Sequence, residues 1–334
     1  MRRLIDMHCD TVSELQRRGD RENIFENHLC VDMEGMERAK TMVQFFACFV
    51  NGREYEEKRP DRGSGSGRIS TYSWDRAYTA VLDMTERIHK EENDRLRLAR
   101  SYEEIQENSR QNVISAVATV EEGGVLNGNP GRLTELYEKG IRLMTLTWNY
   151  ENCLGYPNSR DASVMGRGLK KFGLETIEQM NGLGMLVDVS HLSDGGFWDC
   201  IRHSSAPVVA SHSNVRALCD CPRNLTDEML KALGEKGGAA GLNFYPAFLR
   251  KEEASVTVRD IARHAFHMIR AAGEDVPAIG TDFDGFEAKA VKGYPSGPGD
   301  MEQVWEAMKK EGITERQIDK IACGNALRVL NEVL

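Results

Sequence analysis

Short runs of apolar and β-branched residues recur along the chain at Leu4 to Met7, Met42 to Val50, Val113 to Val120, Arg142 to Thr147, Met185 to Val189, Pro207 to Ala210, Gly238 to Phe244 and Pro277 to Ile279. Most lack the polar and apolar alternation of a strand with one wet face, so they read as parallel strands covered on both sides. Longer amphipathic stretches between them predict helices at Trp74 to Glu92, Arg132 to Glu138, Leu174 to Leu183, Asp194 to His203, Thr226 to Lys236 and Thr257 to Ala272, with a helical tail from Asp300 to Leu334. Eight strands with helices between most of them predict an α/β chain closed into a (β/α)8 TIM barrel, whose chemistry sits at the C-terminal ends of the strands. An open doubly wound sheet is the rival, but no Gly-x-Gly-x-x-Gly turn follows the first run, and its dinucleotide-binding version loses support.

Length fits this picture: such a barrel commonly takes about 250 residues, and the 334 present read as one domain over 1–334 with insertions. The segment Arg62-Gly63-Ser64-Gly65-Ser66-Gly67 cannot pack a core and predicts a flexible insertion near 51–73, over one barrel end. With 40% hydrophobic and 28% charged residues, neither disorder nor a coiled coil describes most of the chain. A net charge of −9 without clustered Lys and Arg argues against a nucleic-acid partner. The longest apolar stretch, Met42 to Val50, falls far short of the roughly 20 residues that span a bilayer, and Met1-Arg2-Arg3 runs into Leu4 without a secretory pattern. The expectation is a cytoplasmic protein with no membrane partner. Its eight cysteines then read as reduced thiols, and Cys219-Asp220-Cys221 is too closely spaced for a zinc knuckle.

The ends of the apolar runs are unusually polar. They read His8-Cys9-Asp10, Glu121-Glu122-Gly123-Gly124, Asp188-Val189-Ser190-His191, Ser211-His212-Ser213 and Gly280-Thr281-Asp282-Phe283-Asp284-Gly285. Taken singly, each is ordinary, since a strand-end His is most often a hydrogen-bonded core residue. Together, three imidazoles and two or three carboxylates on one rim could hold two first-row metal ions, one carboxylate bridging them. Imidazole with carboxylate suits zinc, and manganese, iron or cobalt would accept the same donors. Two cations sharing a water would bring its pKa towards neutrality, which implies hydrolysis.

In these residues the chain resembles the renal (membrane) dipeptidase family of dinuclear zinc peptidases, within the amidohydrolase-like metal-dependent barrels. The resemblance covers nearly the whole sequence: Ile5 to Thr11, Glu122-Gly123-Gly124, Asn181 to His191, Ser211 to Leu218, Pro222-Arg223-Asn224-Leu225, Asn243-Phe244-Tyr245, Asp282-Phe283-Asp284-Gly285 and Gly324 to Arg328. It implies two zinc ions, one on His8, Asp10 and Glu122, the other on Glu122, His191 and His212, with Glu122 bridging. It also implies Arg223 on the C-terminal carboxylate of a dipeptide, Tyr245 in the substrate pocket, Asp282 as proton carrier with Asp284 as the competing candidate, and a homodimer. The expected activity is cleavage of dipeptides, including those with a C-terminal D-residue, by a metal-bridging hydroxide. A β-lactam, an N-acyl amino acid or another small amide is the alternative substrate, and a non-catalytic metal-binding homologue the alternative role.

The chain departs from the family at one position. Members often carry a histidine after the Leu-Thr of the fourth run, where it stabilises the tetrahedral oxyanion; here Thr145-Leu146-Thr147 is followed by Trp148. The Trp148 N–H, Asn149 or the second zinc would have to take over. That strand end also lacks a lysine, which argues against the phosphotriesterase and dihydroorotase types of metal barrel.

Overall fold

A computed structural model describes residues 2–19, 21–56 and 69–334. Its strands are β1 (Leu4–Cys9), β2 (Thr41–Phe49), β3 (Leu96–Leu98), β4 (Ile114–Glu121), β5 (Ile141–Thr145), β6 (Leu186–Asp188), β7 (Val208–Ala210), β8 (Ala239–Leu242) and β9 (Pro277–Ile279). All pairings are parallel, in the order β2-β1-β9-β8-β7-β6-β5-β4, and β2 pairs β4 from Val43↔Ser115 to Phe49↔Glu121, which closes the ring. The result is a closed eight-stranded barrel with helices between strands, as the apolar runs predict.

The ninth strand, β3, lies outside the ring. It pairs only with the first residues of β4, from Leu96↔Ile114 to Leu98↔Ala116, on the edge that β5 takes over from Ala118 onward. Three residues, Leu-Arg-Leu, are too short to register as an apolar run, and the sequence reading passed over them. The tail predicted from Asp300 to Leu334 is also broken. Met301–Lys310 stops before Gly312, whose φ of 88° suits glycine; Glu315–Asp319 restarts behind a Thr314/Gln317 capping box, and a π-turn at Lys320–Gly324 leads into Asn325–Val333. Of the predicted insertion, Gly52–Tyr55 is a 3-10 turn and Thr71–Lys90 a long helix, while 57–68 lie outside the described residues.

Strand alternation divides the core in two. Ile5, Val43, Phe45, Val117, Leu143, Leu186, Val209, Ala239 and Ala278 fill the barrel interior, where Ala326, Val329 and Leu330 of the last helix join them and close its base. Their strand neighbours, such as Ala116, Ala118, Val120, Met144, Val187 and Ala210, pack outward against the helices. This parity decides which end residues face the mouth. On β4 the odd positions face inward, and the last of these is Glu121. On β1, Ile5 opposite Val43 belongs to the interior, yet Cys9 opposite Phe46 belongs to the outer layer. Three residues of β1 there face two of β2, and this bulge turns Cys9 outward between His8 and Asp10.

Candidate metal centre

The three histidines expected at strand ends meet at the barrel mouth. His8 and His212 stack with ring centroids 3.7 Å apart, and the His191 ring lies 5.2 Å from His212. The carboxylate among them belongs to Glu121. Its Oε1 is 3.0 Å from His191 Nε2 and 3.5 Å from His212 Nε2, and its Oε2 is 3.4 Å from His8 Nε2. Asp10 lies 3.5 Å and Asp282 3.8 Å from the same His8 nitrogen. Three donor groups emerge, Glu121/His191/His212, His8/Asp10/Glu121 and His8/His212/Asp282, each with its ligand atoms within 4.8 Å of one another.

This corrects the expectation for Glu122 by one residue. Glu122 sits just past β4 with φ 117°, which turns its side chain out of the strand's parity. Its carboxyl instead accepts hydrogen bonds from Asn152 Nδ2 at 2.5 Å, Gly124 N at 2.8 Å and Trp148 N at 3.2 Å, tying the end of β4 to the loop after β5. Burial pushes its pKa up to about 7 despite those bonds.

Four of the positive-φ residues without a glycine's freedom lie at this mouth: Glu122, His191 (φ 65°), Asp282 (62°) and Asp284 (69°). Such backbone costs on the order of 1–3 kcal/mol each and persists where the surroundings fix it, commonly at functional sites. Gly285 closes the far side. A Cβ there would lie 2.5 Å from Asp10 Oδ2 and 2.6 Å from Asp282 Oδ1, so no side chain fits against the two carboxylates.

The surroundings of two imidazoles settle their tautomers. Asp188 Oδ2 accepts from Thr145 Oγ1 and from Ser211 Oγ, both at 2.6 Å, and Ser211 Oγ also meets His212 Nδ1 at 2.7 Å. A hydroxyl has one proton, and Ser211 gives it to the carboxylate, so His212 Nδ1 is the donor and its Nε2 carries a lone pair. Asn149 Oδ1 accepts from His191 Nδ1 at 3.3 Å, with the same consequence for His191 Nε2. These two bare nitrogens face each other at 3.1 Å. The sequence reading names Asp188 and Ser211 among the polar strand ends but gives them no role; their inward positions on otherwise apolar strands are the signal that marks them.

Charge completes the case for a cation. Burial, His8 and Arg223 hold His212 well below its ordinary value, and burial with Arg223 brings His191 down to about 4, so both are neutral donors at pH 7. Burial opposes the charge of Glu121, but the three histidines outweigh it and keep its pKa well below the usual range. For His8, burial is likewise outweighed by Glu121 and Asp10, which raise its pKa well above 6.5. Both His8 ring nitrogens, Asp10 Oδ1 and Glu121 Oε1 are buried without a hydrogen-bond partner. Unpartnered buried nitrogens and carboxylate oxygens gathered around one shared carboxylate fit metal ions, which would take the place of the His8 proton, and are costly without them.

The other expected residues ring this cage. Asp282 Oδ2 accepts from Asn243 Nδ2 at 2.9 Å, which aims Oδ1 at His8. Asp284 is turned away, bound by Thr11 Oγ1 and the Cys30 backbone, both at 2.7 Å. Arg223, 5% exposed, donates to Ser213 Oγ and to the His212 carbonyl, and its Nε has no partner. Tyr245 stands edge-on to Phe248 and beside Phe286, and the Trp148 ring packs between Phe49 and Tyr150.

A parallel barrel with histidines and carboxylates gathered at its C-terminal mouth has the architecture of metal-dependent hydrolases. Residues 2–334 match the model of the membrane dipeptidase family, peptidase family M19, and the chain belongs to that family as a metal-dependent dipeptidase. An uncharacterized dipeptidase of Schizosaccharomyces pombe is 31% identical over 317 residues, 91% of this chain and 73% of that one. A metallo peptidase from Rhodobacter sphaeroides, solved with a phosphinate mimic of the dipeptide L-Ala-D-Ala, superposes with a TM-score of 0.83 at 25% identity over 99% of both chains. A second solved family M19 metallo peptidase, dipeptidase AC, gives 0.85 at 26% over the same shares.

Proposed function

We propose that this dipeptidase hydrolyses free dipeptides, including those with a C-terminal D-residue, and that it does so with two zinc ions sharing Glu121. His8 and Asp10 would complete one ion's donors, His191 and His212 the other's. When bound, the ions supply Lewis-acid polarisation of the scissile carbonyl and make water a nucleophile at neutral pH.

The chain's own residues do the rest. Arg223 carries the reading: it is a buried guanidinium beside the cage, its pKa lowered by burial that Asp282 and Glu121 offset only in part, and its hydrogen bonds among the described residues go to Ser213 Oγ and the His212 carbonyl, not to a carboxylate. An unpaired buried cation is costly, and the carboxylate of a short peptide would neutralise it with charge-assisted hydrogen bonds. That fixes the peptide's free end, and a second residue reaches across the mouth to the cage. Asp282, held by Asn243 and pushed up to about 7 chiefly by burial, takes a proton during attack and passes it to the departing amine. Tyr245 lines the carboxylate side of the pocket. A phosphinate mimic of L-Ala-D-Ala in the Rhodobacter relative supports acceptance of a D-residue at the second position.

The test compares a dipeptide with its C-terminal amide. Wild-type protein should cleave the acid with a kcat/KM roughly 10²-fold or more above the amide, and Arg223→Met should bring the two together. Equal turnover of acid and amide by the wild type would reject the assignment.

A further inference from the structure

Two aromatic groups face each other across the mouth. Phe49 ends β2, and Trp148 and Tyr150 follow β5; in the ring these strands flank β4, which carries Glu121. The rings form a ladder, with Phe49 and Trp148 centroids 4.9 Å apart, Trp148 and Tyr150 5.8 Å apart, and Trp148 6.3 Å from His191. Two arginines stack on it: Arg17 lies 5.7 Å from the Phe49 ring and Arg53 4.5 Å from Tyr150. The second group, Tyr245, Phe248 and Phe286, follows β8 and β9 on the opposite side of the ring, and Arg223 sits 5.7 Å from Phe248.

We infer that the Phe49–Trp148–Tyr150 ladder is the subsite for the side chain of a dipeptide's first residue, and that it makes the enzyme selective for bulky apolar residues at that position. This rests on the dipeptide reading above, which anchors the carboxylate at Arg223. A peptide so anchored places its second side chain by Tyr245 and Phe248, its scissile bond over the cage, and its first residue against the ladder. Phe49, Trp148 and Tyr150 are each only partly buried, so apolar ring surface borders the mouth beside His191. Covering it with a Phe or Leu side chain removes water from both, which Ala cannot do to the same extent. Trp148, at the position where a polar donor was expected, thereby acts as a specificity-determining residue.

The test measures kcat/KM for Phe-Ala, Leu-Ala, Ala-Ala and Ala-Phe with wild type, Trp148→Ala and Trp148→Leu. Wild type should prefer Phe-Ala to Ala-Ala by about tenfold or more, the scale that apolar pockets reach. Trp148→Ala should erase that preference mainly through KM for Phe-Ala, Trp148→Leu should retain part of it, and the Ala-Phe to Ala-Ala ratio should not move. A wild-type ratio at or below one, or a ratio unchanged in both variants, overturns the inference. If the wild type cleaves no dipeptide, the hydrolytic reading fails by itself. Calorimetric binding then decides on the ladder: tighter Phe-Ala than Ala-Ala binding that Trp148→Ala abolishes upholds it, and equal affinities overturn it.

Discussion

The two ends of the barrel are built on opposite principles. At the base, Ala326, Val329 and Leu330 seal the interior with apolar side chains, Asn325 Nδ2 donates to the Glu274 and Pro277 carbonyls at 2.8 Å, and Arg328 ties down the carbonyls of Gly238 and Asp275. At the mouth, carboxylate oxygens and the Arg223 Nε are left without hydrogen-bond partners among the described residues, and the backbone takes conformations that cost energy. One end stabilises the fold and the other draws on that stability, as expected where a site must be ready for charges that arrive with metal and substrate.

The largest effect separates Glu121 from Glu122. Glu121→Gln should abolish metal retention and dipeptide cleavage. Glu122→Gln keeps the shape of a carboxyl that is half-protonated near pH 7 and should lose about 10-fold in activity, with metal content by elemental analysis unchanged. Equal losses would return Glu122 to the cage. At the base, Leu330→Ala should cost about 2–5 kcal/mol in denaturant unfolding while the folded fraction retains its full metal content. A change in metal stoichiometry there would break the division between the two ends.

Smaller still is Ser211→Ala, which removes the acceptor fixing His212. Metal affinity by chelator competition should fall about 10- to 100-fold. Unaltered affinity would show that the tautomer needs no support. The smallest expected effect lies in the Glu274 pair. Hydrogen bonds from Arg316 and then Lys320 hold its pKa at about 2, below the unfolded value near 4.5. A depressed folded pKa contributes stability above the unfolded value that is lost as pH falls towards 2. Glu274→Gln should therefore lower Tm slightly at pH 7 and flatten its acid dependence between about pH 4.5 and 2, leaving activity untouched.

Much of this was legible in the letters. Parallel strands buried on both faces must be apolar throughout, so eight runs sufficed to define the ring, and polar residues ending them marked the mouth. His8, Asp10, His191 and His212 come together as their strand-end positions suggested. What failed was local. The resemblance puts the bridging carboxylate on Glu122, whereas the inward parity of Ser115, Val117 and Thr119 leads to Glu121. Leu96 to Leu98 has too few residues to show a pattern, and its pairing is decided by an edge of β4 that only the assembled barrel exposes.

The bulge in β1 carries a consequence for anyone re-engineering this scaffold. Cys9 now sits behind the rim, its Sγ bonded to the Phe45 carbonyl at 3.3 Å. Had the strand kept strict alternation through Ile5 and Met7, Cys9 would face inward and place sulfur where nitrogen stands today. One extra residue in the pleat thus sets a borderline donor in place of a soft one at this strand end, and with it which elements the protein prefers.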